Sequence, residues 1–122
     1  MGIVFYPTYF AWFDHATHRL VASSGRTLLA RLREDGVSVP IVECGARFRR
    51  PVFADDELVV VSTADRVEAR SFTMNHRVER DGELVASGSE RRVAARMLPT
   101  GRLEVTRMPD ELATWLKEDA TA

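Results

Sequence analysis

The sequence has a single cysteine among its 122 residues, Cys44, so no internal disulfide can form. A chain without disulfides is typical of a reducing compartment, and we therefore expect a cytoplasmic location. No eighteen apolar residues follow one another, so no membrane-spanning helix is predicted. The formal net charge of −1 lacks the basic excess of most nucleic-acid and membrane-surface binders. Neither nucleic acid nor a membrane is an expected partner.

Internal repeats, low-complexity segments and linker-like stretches are also absent from the sequence. The length lies within the usual range of one domain, and 45% hydrophobic residues are enough for one core. We therefore predict a single domain over residues 1–122. The apolar start has no basic residues before it, contains Pro7 and runs directly into Asp14, so it does not resemble a signal peptide.

A long amphipathic helix is predicted near the N-terminus. Thr8 is the expected N-cap, and the helix should end near Ser23, just before Gly25. Apolar residues recur at steps of three and four and should form one face: Tyr9, Trp12, Phe13, Ala16 and Leu20. Three polar residues should lie on the other side: Asp14, His15 and His18.

A second, shorter helix is predicted over residues 26–35, ended by Gly36 and with three leucines facing inward: Leu28, Leu29 and Leu32. Beyond it the apolar period changes from 3.6 to 2, which indicates strands. Residues 42–48 alternate, with Cys44 on the inward side. Residues 58–64 are apolar on both faces, so that strand is either central in the sheet or covered by a partner.

Asp81-Gly82 is a strong hairpin signal between two further strands. The strand before it has four residues of inward parity: Phe72, Met74, His76 and Val78. The order of elements favours an α+β domain in which a meander-like antiparallel sheet curls around the long helix. One helix cannot cover so much apolar sheet, and small sheets leave free edges, so we expect at least a dimer, either a homodimer or a homotetramer.

Three short sequence motifs follow one another along the chain, and their order is more specific than any one of them. They are Gly2 to Tyr9 with Trp12-Phe13-Asp14, Pro40 to Cys44 with Asp55-Asp56-Glu57-Leu58, and Arg70-Ser71-Phe72 with the hairpin. Together they resemble the 4-hydroxybenzoyl-CoA thioesterase family over nearly the whole chain. The resemblance implies the hotdog fold, hydrolysis of acyl-CoA thioesters, no metal or other cofactor, and active sites built between two subunits.

In that family the catalytic aspartate and the first strand precede the glycine that corresponds to Gly2. Met1 stands immediately before that glycine here, so both features are expected to be missing from this sequence. We expect either a start assigned too far downstream or a family member without the acid.

A thioester carbonyl needs donors for its developing negative charge, and a helix N-terminus supplies free N–H groups. By resemblance, the backbone N–H of Tyr6 is the predicted oxyanion donor, and Gly2 and Phe5 line the substrate site. Arg70 and Ser71 match a position on the nucleotide side of the family's CoA site. Other arginines are weaker candidates for the CoA phosphates: Arg47, Arg49, Arg50, Arg77, Arg91 and Arg92.

Asp14 is the only acid on the long helix and is the fallback catalytic residue, since some hotdog enzymes use a helix carboxylate. Its alternative role is a pair with His18, four residues away. A metal site at Asp14, His15 and His18 is not favoured, because no further ligand cluster is evident.

Other reactive residues favour structural roles. His76 has the parity of a hydrogen-bonded core residue, and Cys44 that of a small core residue rather than a nucleophile. Ser71 and Ser89 lack the Gly-x-Ser-x-Gly context of a serine hydrolase. The predicted function is hydrolysis of an aromatic or short-chain acyl-CoA. The alternative is a non-hydrolytic hotdog module that binds acyl-CoA or a protein partner.

Overall fold

A computed structural model describes residues 3–121 of the chain and the side chains of residues 3–118. Gly2, a predicted substrate-binding residue, lies outside the described residues. The elements follow in this order: α1 Pro7–Ala22, α2 Leu28–Asp35, β1 Val37–Ser38, β2 Ile41–Phe48, β3 Val59–Asp65, β4 Ser71–Arg80, β5 Glu83–Val93, β6 Ala95–Met97, β7 Leu103–Val105 and α3 Asp110–Thr121. No helix in this part of the chain is both long and apolar enough to cross a membrane.

The main sheet is antiparallel and has the strand order β2-β5-β4-β3, and a small sheet has the order β1-β6-β7. The predicted meander holds for β3, β4 and β5. It fails for β2, which pairs with β5 instead of β3. Residues 58–64 were predicted to be either central in the sheet or covered by a partner. The first alternative is wrong, because β3 forms an edge of the sheet and exposes Val59 and Val61. The second stays a prediction.

Helix α1 begins two residues earlier than expected. Tyr6 occupies the N-cap position without a side-chain cap, and Pro7 is the first helical residue, where its missing N–H costs nothing. Thr8 is therefore not the cap, and its N–H donates to the carbonyl of Phe5 at 2.9 Å. The buried face of α1 repeats at steps of four: Tyr9, Phe13, Thr17 and Val21. The predicted Trp12, Ala16 and Leu20 are only partly buried at one border of that face.

The concave side of the sheet covers α1, and the core lies between them in two apolar clusters. One cluster surrounds Tyr9 and Phe13, and the other surrounds Val21 and includes α3. Thr17 lies between these residues along the helix and is fully buried. A polar layer therefore separates the two halves of the core.

Helix α2 shows a different buried face from the predicted one. Gly36 ends the helix in the left-handed conformation, as expected, whereas the cap at Thr27 was not predicted. Leu28 is buried, but Leu29 and Leu32 are exposed. The prediction fails for these two leucines because the short helix turns Arg31 inward instead, toward α3.

Strand β2 has the predicted parity but not the predicted burial. Cys44 lies opposite Glu90, on the helix side of the sheet, yet it is exposed. The prediction of a core residue is wrong because β2 is an edge strand of the sheet. Toward the end of β2, Phe48 reaches α1 and contacts Tyr9 edge-on, with ring centroids 4.8 Å apart.

Candidate active site

The start of α1 presents a free backbone donor. The N–H of Tyr6 forms no hydrogen bond to any residue between 3 and 121. Pro7 has no N–H, so Tyr6 is the last donor before the helix proper. Unpaired N–H groups and the helix dipole make such an end favourable for negative charge. This position is therefore suited to polarise a carbonyl.

A hollow of about 310 Å³ lies beside this donor. Its walls are largely aromatic and apolar, with two arginines: Ile3, Val4, Tyr6, Tyr9, Phe48, Arg49, Arg50, Pro51 and Val52. Burial raises the pKa of the Tyr9 phenol more than the positive charge of Arg80 lowers it, so Tyr9 remains neutral. Phe5 is exposed outside the wall and contacts the Tyr6 ring, with centroids 5.4 Å apart. The hollow therefore suits a flat aromatic group.

The loop under the hollow is held by one carboxylate. Asp56 accepts the N–H of Phe53 at 2.8 Å and the guanidinium of Arg80 at 2.8 Å. The bond from the Phe53 N–H is the main cause that lowers the pKa of Asp56, followed by the bond from Arg80. The N–H of Val4 donates to the carbonyl of Val52 at 2.7 Å, so this loop also fixes the entry to α1.

The two arginines in the hollow differ in their pairing. Arg50 forms an ion pair with Glu83. Arg49 forms none with the described residues, and its backbone N–H donates to the carbonyl of Val85 at 2.9 Å. The side chain of Arg49 is therefore available to a negatively charged or phenolic group.

Asp14 does not lie near this donor. It is eight residues beyond Tyr6, which corresponds to about 12 Å along a helix. The predicted contact with His18 is confirmed, with Nε2 3.5 Å from Oδ1. A second partner was not predicted: Arg92 donates to the same oxygen at 2.7 Å. Within one chain, Tyr6 and Asp14 therefore form separate sites.

Arg92 anchors a buried polar network that the sequence analysis missed. Its side chain is 4% exposed, and it donates to Glu90 at 3.1 Å and to the carbonyl of Val39 at 3.0 Å. The prediction that Arg92 is a phosphate ligand is therefore wrong, because β5 turns it into the core. Residues 90 and 92 share one face of the strand, a parity that was readable from the sequence.

Glu90 accepts hydrogen bonds from several sides. His76 Nε2 lies 3.1 Å from Oε1, and the hydroxyl of Thr17 donates to the same oxygen. Burial by itself raises the pKa of Glu90, but the bonds from His76 and Thr17 and the charge of Arg92 outweigh it and lower the pKa. Glu90 is therefore ionised. The prediction that His76 is a hydrogen-bonded core residue is confirmed.

Arg70 and Ser71 lie far from the hollow. Arg70 is exposed and Ser71 is buried at the first residue of β4. Val78, near the other end of β4, pairs with Ala86, which in turn pairs with Phe48 of the hollow. Seven residues of strand span about 23 Å. Arg70 and the hollow therefore lie at opposite ends of the sheet.

Histidines, cysteine and acids are not clustered for a metal. Across the described part of the chain, no three such residues are placed to hold an ion. The pair of Asp14 and His18 has Arg92 as its third member, and a guanidinium is not a metal ligand.

Known proteins match this chain over most of its length. A thioesterase superfamily model matches residues 1–87. A 1,4-dihydroxy-2-naphthoyl-CoA hydrolase of Synechococcus sp. (strain CC9605) is 28% identical over 121 residues, which cover 95% of this chain and 79% of the relative. The 4-hydroxybenzoyl-CoA thioesterase of Pseudomonas sp. (strain CBS-3) is 32% identical over 104 residues, covering 77% and 72%.

A solved structure of a 4-hydroxybenzoyl-CoA thioesterase in complex with 4-hydroxybenzoyl-CoA shares the fold. The TM-score is 0.85 at 30% identity, with 94% of this chain and 86% of that chain covered. The matches favour the predicted hydrolase over the non-hydrolytic module, because the relatives are named as CoA thioester hydrolases. The chain belongs to the thioesterase superfamily and is a hotdog-fold acyl-CoA thioesterase.

Proposed function

We propose that the chain hydrolyses aromatic acyl-CoA thioesters, with the thioester carbonyl at the start of α1. The free N–H of Tyr6 beside an aromatic hollow is the observation that carries this proposal. The N–H donates to the thioester carbonyl oxygen as negative charge develops on that oxygen. A fixed donor accelerates acyl transfer most when it stabilises this charge in the transition state. The acyl ring lies among Tyr6, Tyr9 and Phe48.

Hydroxylated aromatic acids are the substrate class that the hollow suits best. The two named relatives act on 4-hydroxybenzoyl-CoA and 1,4-dihydroxy-2-naphthoyl-CoA. A guanidinium binds a phenolic oxygen well, and the side chain of Arg49 is free of ion pairs among the described residues. Water supplies the oxygen of the released acid, and the CoA thiol leaves with a proton.

Two carboxylates remain candidates for the attack. One is the aspartate that the family resemblance predicts ahead of Gly2, and Asp14 is the other. Asp14 is about 12 Å from Tyr6 along α1, so it reaches a carbonyl there only from another subunit. Release of free thiol is measured for an N-terminally extended form and for the Asp14→Asn variant of the chain. A gain of activity in the extended form would indicate the upstream carboxylate, and a loss in Asp14→Asn would indicate Asp14.

Removing the N–H of Tyr6 should abolish most of the activity. Tyr6→Pro removes that N–H together with the Tyr6 ring, and the Tyr6 φ of −55° suits proline. We expect kcat for 4-hydroxybenzoyl-CoA to fall roughly 100-fold or more, as for other oxyanion donors. Free thiol is followed over time, and KM is measured separately. Tyr6→Ala also removes the ring but keeps the N–H, so its kcat should fall much less than that of Tyr6→Pro. Equal loss in both variants would refute the assigned donor.

Arg70 is proposed to bind a phosphate of CoA, with Ser71 fixing the start of β4 beneath it. Arg70→Ala should raise KM for acyl-CoA about tenfold, the value of one charge-assisted hydrogen bond, with little change in kcat. Arg102→Ala removes another exposed arginine and serves as the matched control. A KM unchanged in Arg70→Ala would place the nucleotide elsewhere.

We also propose that the site is built between two copies of the chain. Every residue of β2 except Ala46 is exposed, and the exposed residues include Ile41, Val42 and Phe48. This edge is therefore unusually apolar for a free strand. Antiparallel pairing about the middle of β2 would bring the residue-41 end of one copy beside the residue-48 end of the other. That pairing places the Arg70 end of one copy near the hollow of its partner.

Sedimentation of the protein should accordingly give a dimer or a multiple of it. Val42→Lys, on β2, should shift the mass toward 13.7 kDa, the mass of one chain, and lower the activity. Val59→Lys changes an equally exposed valine on the opposite edge and should leave the dimer intact. A dimer that only Val59→Lys dissociates would assign pairing to β3.

A cytoplasmic location is proposed because the single cysteine is free and exposed, and a reducing compartment keeps such a thiol from oxidation. Cell fractionation with the protein found outside the cytoplasm would contradict it.

A further inference from the structure

A second cleft is separate from the hollow at the start of α1. It has a volume of about 720 Å³ and runs between one side of α1 and the free edge strand β3. Its lining is mainly apolar, with polar groups among it: Trp12, His15, Ala16, Arg19, Leu20, Asp56, Leu58, Val60 and Ser62. The cleft could accept an apolar acyl or alkyl group, and Ser62 is the hydroxyl in its wall.

Ser62 is hydrogen-bonded to a histidine that a carboxylate orients. The hydroxyl oxygen of Ser62 lies 2.7 Å from Nδ1 of His76. Nε2 of the same ring lies 3.1 Å from Oε1 of Glu90. The three residues come from adjacent strands, β3, β4 and β5, and all face α1. Nucleophile, base and orienting acid thus lie in one row.

Two features fix the orientation of the His76 ring. Phe13 stacks on it, with centroids 4.8 Å apart and planes 2° apart. Gly88 is the strand partner of His76, and its missing side chain leaves the room that the Phe13 ring occupies. Because Glu90 is ionised, it accepts the Nε2–H, and Nδ1 is left to accept the proton of Ser62.

We propose that Ser62, His76 and Glu90 form a second reactive centre, in which Ser62 is the nucleophile toward esters of apolar acids. Its oxygen would form a bond to the carbonyl carbon while its proton passes to Nδ1 of His76. The carbon–oxygen bond to the alcohol breaks, and the alcohol leaves with that proton. Water then attacks the acyl-serine by the same route, releasing the acid and restoring Ser62.

This centre does not depend on the proposed thioester site. The cleft contacts α1 around Ala16, ten residues beyond Tyr6, which is about 15 Å along the helix. Glu90 orients the base without touching the substrate. The short Ser62–His76 bond distinguishes this serine from Ser71 and Ser89, for which no bond to a histidine is recorded among the described residues.

The test uses an organophosphorus fluoride, diisopropyl fluorophosphate, and the intact mass of the protein. Attack by Ser62 forms an oxygen–phosphorus bond and expels fluoride, so one adduct per chain is expected, mapped to Ser62 by peptide sequencing. Ser62→Ala should remove it, and Ser89→Ala, an exposed serine of the same sheet, should not. Glu90→Gln should slow the labelling roughly 100-fold, because the base loses its orienting charge.

A second measurement needs no variant. The unaltered protein should hydrolyse p-nitrophenyl acetate, and the rate should fall in proportion to the fraction labelled. No adduct, an adduct that persists in Ser62→Ala, or equal labelling of urea-unfolded protein would overturn the proposal. Because no CoA thioester is present, these outcomes are independent of the thioesterase assay.

Discussion

Replacing Arg92 by methionine is expected to lower the free energy of unfolding by about 3–5 kcal/mol. Methionine keeps the apolar stem but leaves Glu90, whose side chain is 2% exposed, as a buried charge without its cationic partner. The contact to Asp14 and the bond to the Val39 carbonyl are lost as well. Urea unfolding, followed by circular dichroism at neutral pH, measures the change.

Arg91→Met is the matched control for this prediction. Arg91 neighbours Arg92 on β5 but points to the opposite, exposed face of the sheet. Its replacement should change stability by about 0.5 kcal/mol or less. Two variants that differ by less than about 1 kcal/mol would show that the buried network contributes little to the fold.

Adding a single methyl group at Gly88 is expected to cost about 1–3 kcal/mol. A Cβ there would overlap the Phe13 ring and lie 2.8 Å from the carbonyl oxygen of Gly45. The backbone of Gly45 cannot move aside as a flexible side chain can. The added methyl group therefore displaces the Phe13 ring from its stack on His76. Gly88→Ala should therefore both lower the unfolding midpoint in urea and slow the labelling of Ser62.

Gly45→Ala provides the comparison for Gly88→Ala. Gly45 lies on the neighbouring strand, and a Cβ added there would meet nothing within 4 Å. Alanine restricts the unfolded chain, so this variant should be neutral or stabilised by up to about 1 kcal/mol. If both alanine variants behaved alike, the close contact between Phe13 and the sheet would be unimportant.

Local signals in the sequence predicted much of the fold. Asp81-Gly82 forms the β4–β5 hairpin, and Gly36 ends α2, because each residue has a backbone requirement that neighbours in sequence reveal. The inward parity of β4 was equally local. Burial at the edges of the sheet could not be predicted from local sequence. Cys44 has the inward parity, but only the order of the strands shows that it lies at an exposed edge.

The candidate site divides in the same way. The pair of Asp14 and His18 was predictable from helical spacing, and the donor at Tyr6 from resemblance. Arg92 was not predictable as the partner of Asp14, since the two residues are 78 positions apart and meet only after β5 packs against α1. Non-local pairing of this kind leaves no pattern within a short window of sequence.

The polar layer in the core has a consequence for how α1 is seated on the sheet. A slide of the helix by one turn, about 5.4 Å, would still place apolar side chains against apolar side chains in both clusters. It would, however, bring Phe13 or Val21 to the position of Thr17, and neither offers a donor to Glu90. Apolar contacts alone would permit several alignments of the helix on the sheet. One buried hydroxyl on a buried carboxylate selects a single alignment, and thereby sets where the first turn of α1 stands relative to the aromatic hollow.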